Sequence, residues 1–500
     1  MEIHPPHPIN NKTLEILRGV LNPYAKVPDR EGRDIGTATH QQEALITESL
    51  PAAEPQQLGL FQDDPLSKEA YSVVQNHTVR LVRGVAGSGK TLVLMNRALY
   101  LQQRYPHSRI LVMTFNRDLA AHLQKRAPSL EILNFHKLCA DIIGKAWHSP
   151  QYPSGWLQRY ALSEIRQLGL PYTDEYEMVR YVEEEIGWRK DLDMFDQATY
   201  LAAERRGRTI ALDKDKRKLL DKIFQRYWQY QTEQRNRNGD WMDWNDVPIQ
   251  AHHVLEEVKH PLKHSYDIIL VDEGQDFAPT WFRVIQLLLK PNGSLFICDD
   301  PTQSLFRYFS WREKGVEVMG RSRILRVPFR CTRKINEAAY SLVLADELLS
   351  NSEEIIHPDL TSPELIEGSL PALYAFDTPE QERQTIKDEV QTLLENGNDP
   401  QDIAVLCHHK GLVKHYADLR NLGIYVEHFE KMKGLEFIAV FIPEVHSAFD
   451  NMTDQQAISQ MRRRMFTAMT RARQVLTLSY HKSLPDALKP IVPHVYRQKF

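Results

Sequence analysis

Eight consecutive residues constrain this chain more than any others. Gly84-Val85-Ala86-Gly87-Ser88-Gly89-Lys90-Thr91 follow the apolar run Val79–Arg83 and open into the helical run Leu92–Leu101. The spacing is G-x-x-x-x-G-K-T between a strand pattern and a helix pattern. Glycines let backbone N–H groups close around phosphate oxygens, and the start of the helix adds its positive dipole end. Lys90 then reaches the terminal phosphates, and the Thr91 hydroxyl is a ligand for Mg²⁺. A turn that bound nothing would have no packing use for Lys and Thr at those two places. The pattern predicts a nucleotide-binding strand–loop–helix unit within an open α/β sheet.

The rest of the chain supplies such a sheet, and then a second one. Val79–Arg83, Arg109–Val112, Asp267–Val271 and Leu295–Cys298 read as buried strands, each followed by turn residues and a helical pattern. Between Cys139 and Val258 the strand signals stop, and charged helical stretches such as Leu157–Leu168, Glu175–Trp188 and Asp213–Tyr230 replace them. This predicts a helical insert at about 140–258 inside a first α/β domain spanning 65–325. Alternation resumes after Arg326, with Ile403–Cys407, Ile438–Ile442 and Val475–Leu478 as the clearest strands of a second α/β domain, 326–500. Residues 1–64 are poor in periodic apolar positions and read as tail or linker, with one short helix expected at Asn11–Leu21. A chain of 500 residues exceeds what one hydrophobic core usually serves, in keeping with two domains.

Composition narrows the class without naming a function. Hydrophobic residues make up 42% and charged residues 26%, the balance of an ordinary globular protein. No apolar stretch approaches membrane-spanning length and the start, MEIHPPHPINN, lacks a signal-peptide pattern, so the expected location is cytoplasmic, with no membrane partner. The four cysteines stand far from one another in sequence, which indicates neither a zinc site nor an iron–sulfur cluster and suits a reducing compartment. A formal net charge of −4 is neutral on a polyanionic partner, because binding depends on where basic groups cluster.

A second half for the nucleotide site stands at 266–277, where the apolar run Tyr266-Asp267-Ile268-Ile269-Leu270-Val271 ends abruptly in Asp272-Glu273-Gly274-Gln275-Asp276-Phe277. Acids at the carboxyl end of a strand lie where open α/β sheets bind ligands. Asp272 is the candidate Mg²⁺ ligand, with Thr91, and Glu273 the general base for an attacking water. Asp followed by Glu points to hydrolysis rather than to phosphoryl transfer onto a second substrate.

The wording DEGQDF resembles the second Walker motif of superfamily I helicases of the UvrD/Rep type, and other blocks similar to that family's follow in its order. Val112-Met113-Thr114-Phe115-Asn116-Arg117 resembles the block after the first motor strand, and Asn134-Phe135-His136-Lys137-Leu138 the histidine-bearing one after it. Asp300-Pro301-Thr302-Gln303-Ser304 is similar to motif III, Val327-Pro328-Phe329-Arg330 to motif IV, 428–437 (HFEKMKGLEF) to motif V, and 467–473 (TAMTRAR) to motif VI. The resemblance runs from the phosphate loop nearly to the C-terminus. It implies two RecA-like parallel-sheet P-loop motor domains with a helical insert in the first, using ATP and Mg²⁺. It further implies that Phe329 stacks on adenine, that Glu436 contacts the ribose, that Gln303 senses the γ-phosphate, and that Arg330 and Arg471 neutralise charge there. Phe115 and Trp311, with Tyr308 or Phe309, are the candidate rings for stacking on bases, since aromatic faces accept any base.

The chain also departs from the family. Glu69 or Ala70 stands at the distance where the family carries an adenine-reading Gln, and Asp299 stands where Gly usually precedes motif III. Fewer than one hundred residues separate Arg330 from His428, too few for the large insert of UvrD-like second domains. The implied activity is ATP-driven 3′-to-5′ movement on single-stranded nucleic acid, in DNA repair, replication or defence. The alternative is an ATPase subunit or protein-displacing remodeller in a larger complex, without unwinding of its own. The residues leave DNA and RNA both open. Gln57-Leu58-Gly59-Leu60-Phe61 resembles a short sliding-clamp-binding peptide, which makes a clamp a candidate partner through Gln57, Leu58, Leu60 and Phe61.

Overall fold

The computed structural model describes residues 26–28, 34–48, 78–115, 117–144, 149–171, 174–205, 210, 212–238, 242–257, 259–300, 309–318, 321–346, 356–432, 435–450, 452 and 455–500. They fall into two compact units, one holding the described residues of Met1–Val82, Lys90–Asp299 and Arg307–Arg323, the other those of Arg83–Gly89, Asp300–Phe306 and Ile324–Phe500. The expected helix at Asn11–Leu21 and the clamp-like peptide lie outside the described residues.

The first sheet has six strands, β1 (Thr78–Gly84), β2 (Ile110–Thr114), β3 (Glu131–Asn134), β4 (Tyr266–Val271), β5 (Leu289–Asp299) and β6 (Ser322–Leu325), in the order β3-β2-β4-β5-β1-β6. β2 runs parallel to β3 and to β4, and β4 parallel to β5. Every residue of β2 is buried, as expected for a strand covered on both faces. Thr114 pairs with Asn134, Met113 with Val271, and Val271 with Ile297, so three strands end level with one another. Whatever follows Thr114, Asn134 and Val271 is delivered to one edge of the sheet, the carboxyl edge where such sheets bind ligands.

Its helices are α1 (His40–Thr47), α2 (Lys90–Arg104), α3 (Arg117–Arg126), α4 (Phe135–Ile143), α5 (Pro153–Tyr160), α6 (Leu162–Gln167), α7 (Glu175–Asp191), α8 (Gln197–Ala202), α9 (Lys214–Asn238), α10 (Asp246–Glu257) and α11 (Pro279–Leu288). Those from α5 to α10 lie in the helical insert, where α5, α6, α7 and α9 share a core around Leu157, Ile165, Val182, Ile223 and Tyr227, while α10 packs through Val247, Ala251 and Leu255 into the core of the first sheet. The run Leu157–Leu168 read as one helix is two, broken at Ala161, whose φ of −129° and ψ of 3° leave the helical region. Within the stretch read as linker, α1 is a formed helix. Thr39 and Gln42 cap it reciprocally, and Arg97 of α2, 2% exposed, donates to the carbonyls of Leu45 (2.8 Å) and Glu48 (2.9 Å) at its far end. The T-x-x-Q capping box was the sequence signal for it.

The second sheet comprises β7 (Ala372–Ala375), β8 (Ile403–Cys407), β9 (Tyr425–His428), β10 (Phe437–Ile442), β11 (Ala472–Tyr480) and β12 (Tyr496–Lys499), in the order β9-β8-β10-β11-β7-β12 with every neighbouring pair parallel. Helices α12 (Arg333–Leu344), α13 (Pro379–Glu395) and α14 (Gln455–Met469) connect and cover it. The fold is α/β, two RecA-like parallel sheets with a helical insert in the first. All four cysteines are buried and unpaired. No helix among the described residues is long and apolar enough to cross a membrane.

Candidate functional site

Two of the level strand ends gather the candidate residues, one acidic and one aromatic. Asp272, 1% exposed, follows β4, and its Oδ2 accepts a 2.8 Å hydrogen bond from the Thr91 hydroxyl in the first turn of α2. Lys90, 7% exposed, begins that helix. Burial and the neighbouring Glu273 push the Asp272 carboxyl up to about 7, against the pull of Thr91 and Lys90. Glu273 has a left-handed φ of 55°, a conformation costly for a side chain of its size, and its amide donates to Asp272 Oδ1 at 3.0 Å. That backbone turn gives adjacent carboxylates different directions. Gln275 donates to the Glu273 carboxylate.

Among the described residues no three His, Cys, Asp or Glu side chains form a metal cage. The donor set here is a hydroxyl and a buried carboxylate, hard oxygens of the kind Mg²⁺ takes while keeping waters and phosphate oxygens for its other positions. The residues therefore fit the ion.

Gly84 to Gly89 belong to the other unit, where Val85 and Ala86 join the core formed by Ile335, Ala339 and Tyr340. The Val85 amide donates to the Leu325 carbonyl at 3.0 Å, and the Ser88 amide to that of Val85 at 3.1 Å. Gly87 and Gly89 have φ of 73° and 82°, and a Cβ on Gly87 would lie 2.5 Å from that of Arg330, so any side chain there would be both strained and obstructed. Arg330 donates from Nε to Glu436 at 3.0 Å. Phe329 beside it is half-buried. Arg471 is 1% exposed, its guanidinium donating to the carbonyls of Thr467 (3.0 Å) and Leu435 (3.2 Å). Arg330, Glu436 and Arg471 thus already hold protein partners.

The aromatic edge begins at Phe115, just past β2. Its ring is half-buried and stacks on Trp281 of α11 at 5.7 Å and 22°, with His136 of α4 edge-on at 6.2 Å. Trp281 also stacks on Phe135 at 4.4 Å, and His136 meets Trp244 at 5.3 Å. Trp281, 3% exposed, and Trp244 carry no motif signal, because no spacing rule links positions this far apart in sequence. Trp311 is half-buried, edge-on to Phe282 at 5.6 Å and below the Lys314 ammonium at 4.4 Å. Gly274 leaves room for it, since a Cβ there would come within 3.1 Å of the indole. Phe309, offered as an alternative stacking ring, is 5% exposed and packs in the core of the first sheet, so its face is not available to a base. Gln303 and Tyr308 lie outside the described residues.

Residues 66–319, just over half of the chain, match the family model described as the UvrD/REP helicase N-terminal domain. The chain belongs to the UvrD/REP helicase family. Its relatives include ATP-dependent DNA helicase UvrD1 of Mycobacterium leprae, 23% identical over 68% of this chain and 46% of that protein. ATP-dependent DNA helicase PcrA of Leuconostoc citreum is 22% identical over 84% and 58% respectively, and ATP-dependent DNA helicase Rep of Escherichia coli 23% over 56% and 42%. The chain spans about half the length of the curated relatives it matches. Family membership implies ATP binding, and the Lys90, Thr91 and Asp272 arrangement is chemically suited to it.

Proposed function

We propose that this UvrD/REP-family chain hydrolyses ATP to move 3′ to 5′ along single-stranded DNA, in the cytoplasm, during repair, replication or defence. One observation carries the reading: strand ends lying level in one sheet hold an Asp–Glu pair, hydrogen-bonded by Thr91 of α2, and a stacked aromatic edge. Lys90 and the amides of 84–89 bind the phosphates, and Thr91 with Asp272 holds Mg²⁺, which when bound neutralises phosphate charge. Glu273 takes the proton from the attacking water. Arg330, Arg471 and Gln303 stabilise charge at the γ-phosphate, which requires both arginines to exchange their present protein partners for phosphate oxygens. Phe329 stacks on adenine, and Glu436 meets the ribose. Phe115 and Trp311 stack on bases without regard to sequence.

The test is steady-state ATP hydrolysis with and without single-stranded DNA and RNA. DNA should stimulate strongly, and Lys90→Ala or Arg471→Ala should lower the stimulated rate by roughly a hundredfold or more. Lys90-dependent hydrolysis indifferent to both polymers would defeat the reading. The short segment between Arg330 and His428 favours a second one, an ATPase subunit or remodeller inside a larger complex, with Gln57, Leu58, Leu60 and Phe61 as a peptide for a sliding clamp. An unwinding assay separates the two: a subunit hydrolyses ATP yet opens no duplex until its partner is added.

A further inference from the structure

The helical insert carries a second set of rings, two of them exposed and two, Trp156 and Tyr230, half-buried against the insert's core. Tyr152, Trp156 and Tyr160 follow one another at four-residue spacing at the start of and along α5, which puts them on one side of that helix. Tyr152 is 67% and Tyr160 50% exposed. Trp156 lies 5.9 Å from Tyr160 and 6.0 Å from Tyr230 of α9, and Tyr160 lies 6.5 Å from Tyr230. Guanidinium groups accompany them, Arg159 at 6.0 Å from the Tyr160 ring and Arg226 at 5.8 Å from that of Trp156. Two carboxylates stand close by, Glu164, paired with Arg226, and Glu183, which accepts from the backbone of Ser154.

Two observations give the patch a direction. From Tyr230 and Arg226, a ridge of α9 continues at the same four-residue spacing through the exposed Lys222, Lys218 and Lys214. α9 as a whole holds eight Lys or Arg against three acids, in a chain whose 66 acids outnumber its 62 Lys and Arg. At its other end the patch joins the aromatic edge described above. Gln151, beside Tyr152, bridges to Asp243 and donates to the Met242 carbonyl at 2.9 Å, next to Trp244, whose ring meets His136 and through it Phe115.

We infer that the insert is a second single-strand site, in which a strand leaving Phe115 continues over Tyr152, Trp156, Tyr160 and Tyr230 and lays its phosphates along Lys222, Lys218 and Lys214. The chemistry selects an unpaired strand: exposed aromatic faces stack on free bases, whereas duplex bases already stack on each other. Arg159 beside the rings and the lysine ridge beyond them supply the counter-charge that a backbone needs. This extends the assignment of Phe115 to strand binding and rests on it.

The experiment compares two labelled oligothymidylates by fluorescence anisotropy with the full chain, one of about 6 and one of about 25 nucleotides, below and above the span of a single stacking groove. Tyr152→Ala with Tyr160→Ala, both at the surface, should weaken the long strand about tenfold and leave the short strand and its stimulation of ATP hydrolysis unchanged. Tyr152→Phe with Tyr160→Phe should bind as the unaltered chain does. Lys218→Ala with Lys222→Ala should lower the slope of log affinity against log salt by about 1.4 for the long strand alone. Equal losses at both lengths, or none, would overturn the inference while leaving the motor reading intact. A loss seen on blunt duplex but not on the long strand would overturn it in favour of a duplex contact. If the unaltered chain binds neither length, strand binding itself fails and the inference with it.

Discussion

The helical insert and the second sheet are of similar chain length and are held together by different physics. β8 and β10 are runs of apolar side chains buried on both faces, and their register follows from hydrophobic covering by helices. The insert buries charge at its centre. Lys190, wholly buried, donates to Asp243 (2.6 Å), Asp246 (2.7 Å) and Gln231 (2.8 Å), while Arg189 pairs with Asp221 at 2.9 Å over the ring of Phe224. Burial and Asp246 push the Asp243 carboxyl up, and Lys190 opposes them. Charged helices can satisfy their amphipathic pattern at many rotations, and a buried ion network accepts only one. The two regions teach that apolar runs suffice to place strands in a layered sheet, whereas helices this polar are located by particular partners.

That contrast can be broken by experiment. Lys190→Met, which leaves the buried Asp243 without a cation and Asp246 with Arg235 alone, should destabilise the insert by about 3–5 kcal/mol in denaturant unfolding, with the second unit's transition unmoved. Adding Asp243→Asn and Asp246→Asn should restore most of the loss; a cost of under 1 kcal/mol for Lys190→Met alone would mean that the insert, too, is held by its apolar core. Acid should act on the other region. Burial, with His409 and His446 nearby, holds His408 down to about 3, while its Nε2 meets the Ser447 hydroxyl at 2.8 Å. The unfolded chain therefore takes up this proton first, and stability present above about pH 6.5 should fall by about 1.4 kcal/mol per pH unit as acidity increases below that value. His408→Gln should flatten the slope measured in urea titrations at several pH values. The smallest effect belongs to the exposed pair Arg180–Glu184 of α7, where a double-mutant cycle should return about 0.5 kcal/mol or less. A larger coupling would show that the surface of the insert shares the specificity of its interior.

The same division governs what could be read from sequence. The strands expected at Val79–Arg83, Asp267–Val271 and Ile403–Cys407 are observed at Thr78–Gly84, Tyr266–Val271 and Ile403–Cys407, because each is a contiguous apolar run with turn residues after it. β12, with the polar text YRQK at the edge of its sheet, carries no such signal. Within the site, Thr91 and Asp272 were legible because a phosphate loop and an acid-ended strand are local patterns, and α2, opening after β1, then met the end of β4. Trp281 and Trp244 were not. Trp281 is 3% exposed in the core of the first sheet and backs the Phe115 ring, a contact across elements far apart in the chain, as is that of Trp244 with His136. Phe309 shows the converse, an aromatic near a motif that the fold uses for packing.

The burial of all four cysteines has a practical consequence for watching such a chain at work. Burial raises every thiol, Cys331 to about 11 and Cys407 to about 12, with Cys139 and Cys298 well above the ordinary value. Thiolate is the species that alkylates, so the folded molecule offers a maleimide dye almost nothing to react with. One cysteine placed on an exposed turn of the insert and another on the second sheet would take a donor and an acceptor dye with little background from the native thiols. Whether ATP changes the distance between the dyes could then be measured in single molecules without first removing any natural residue.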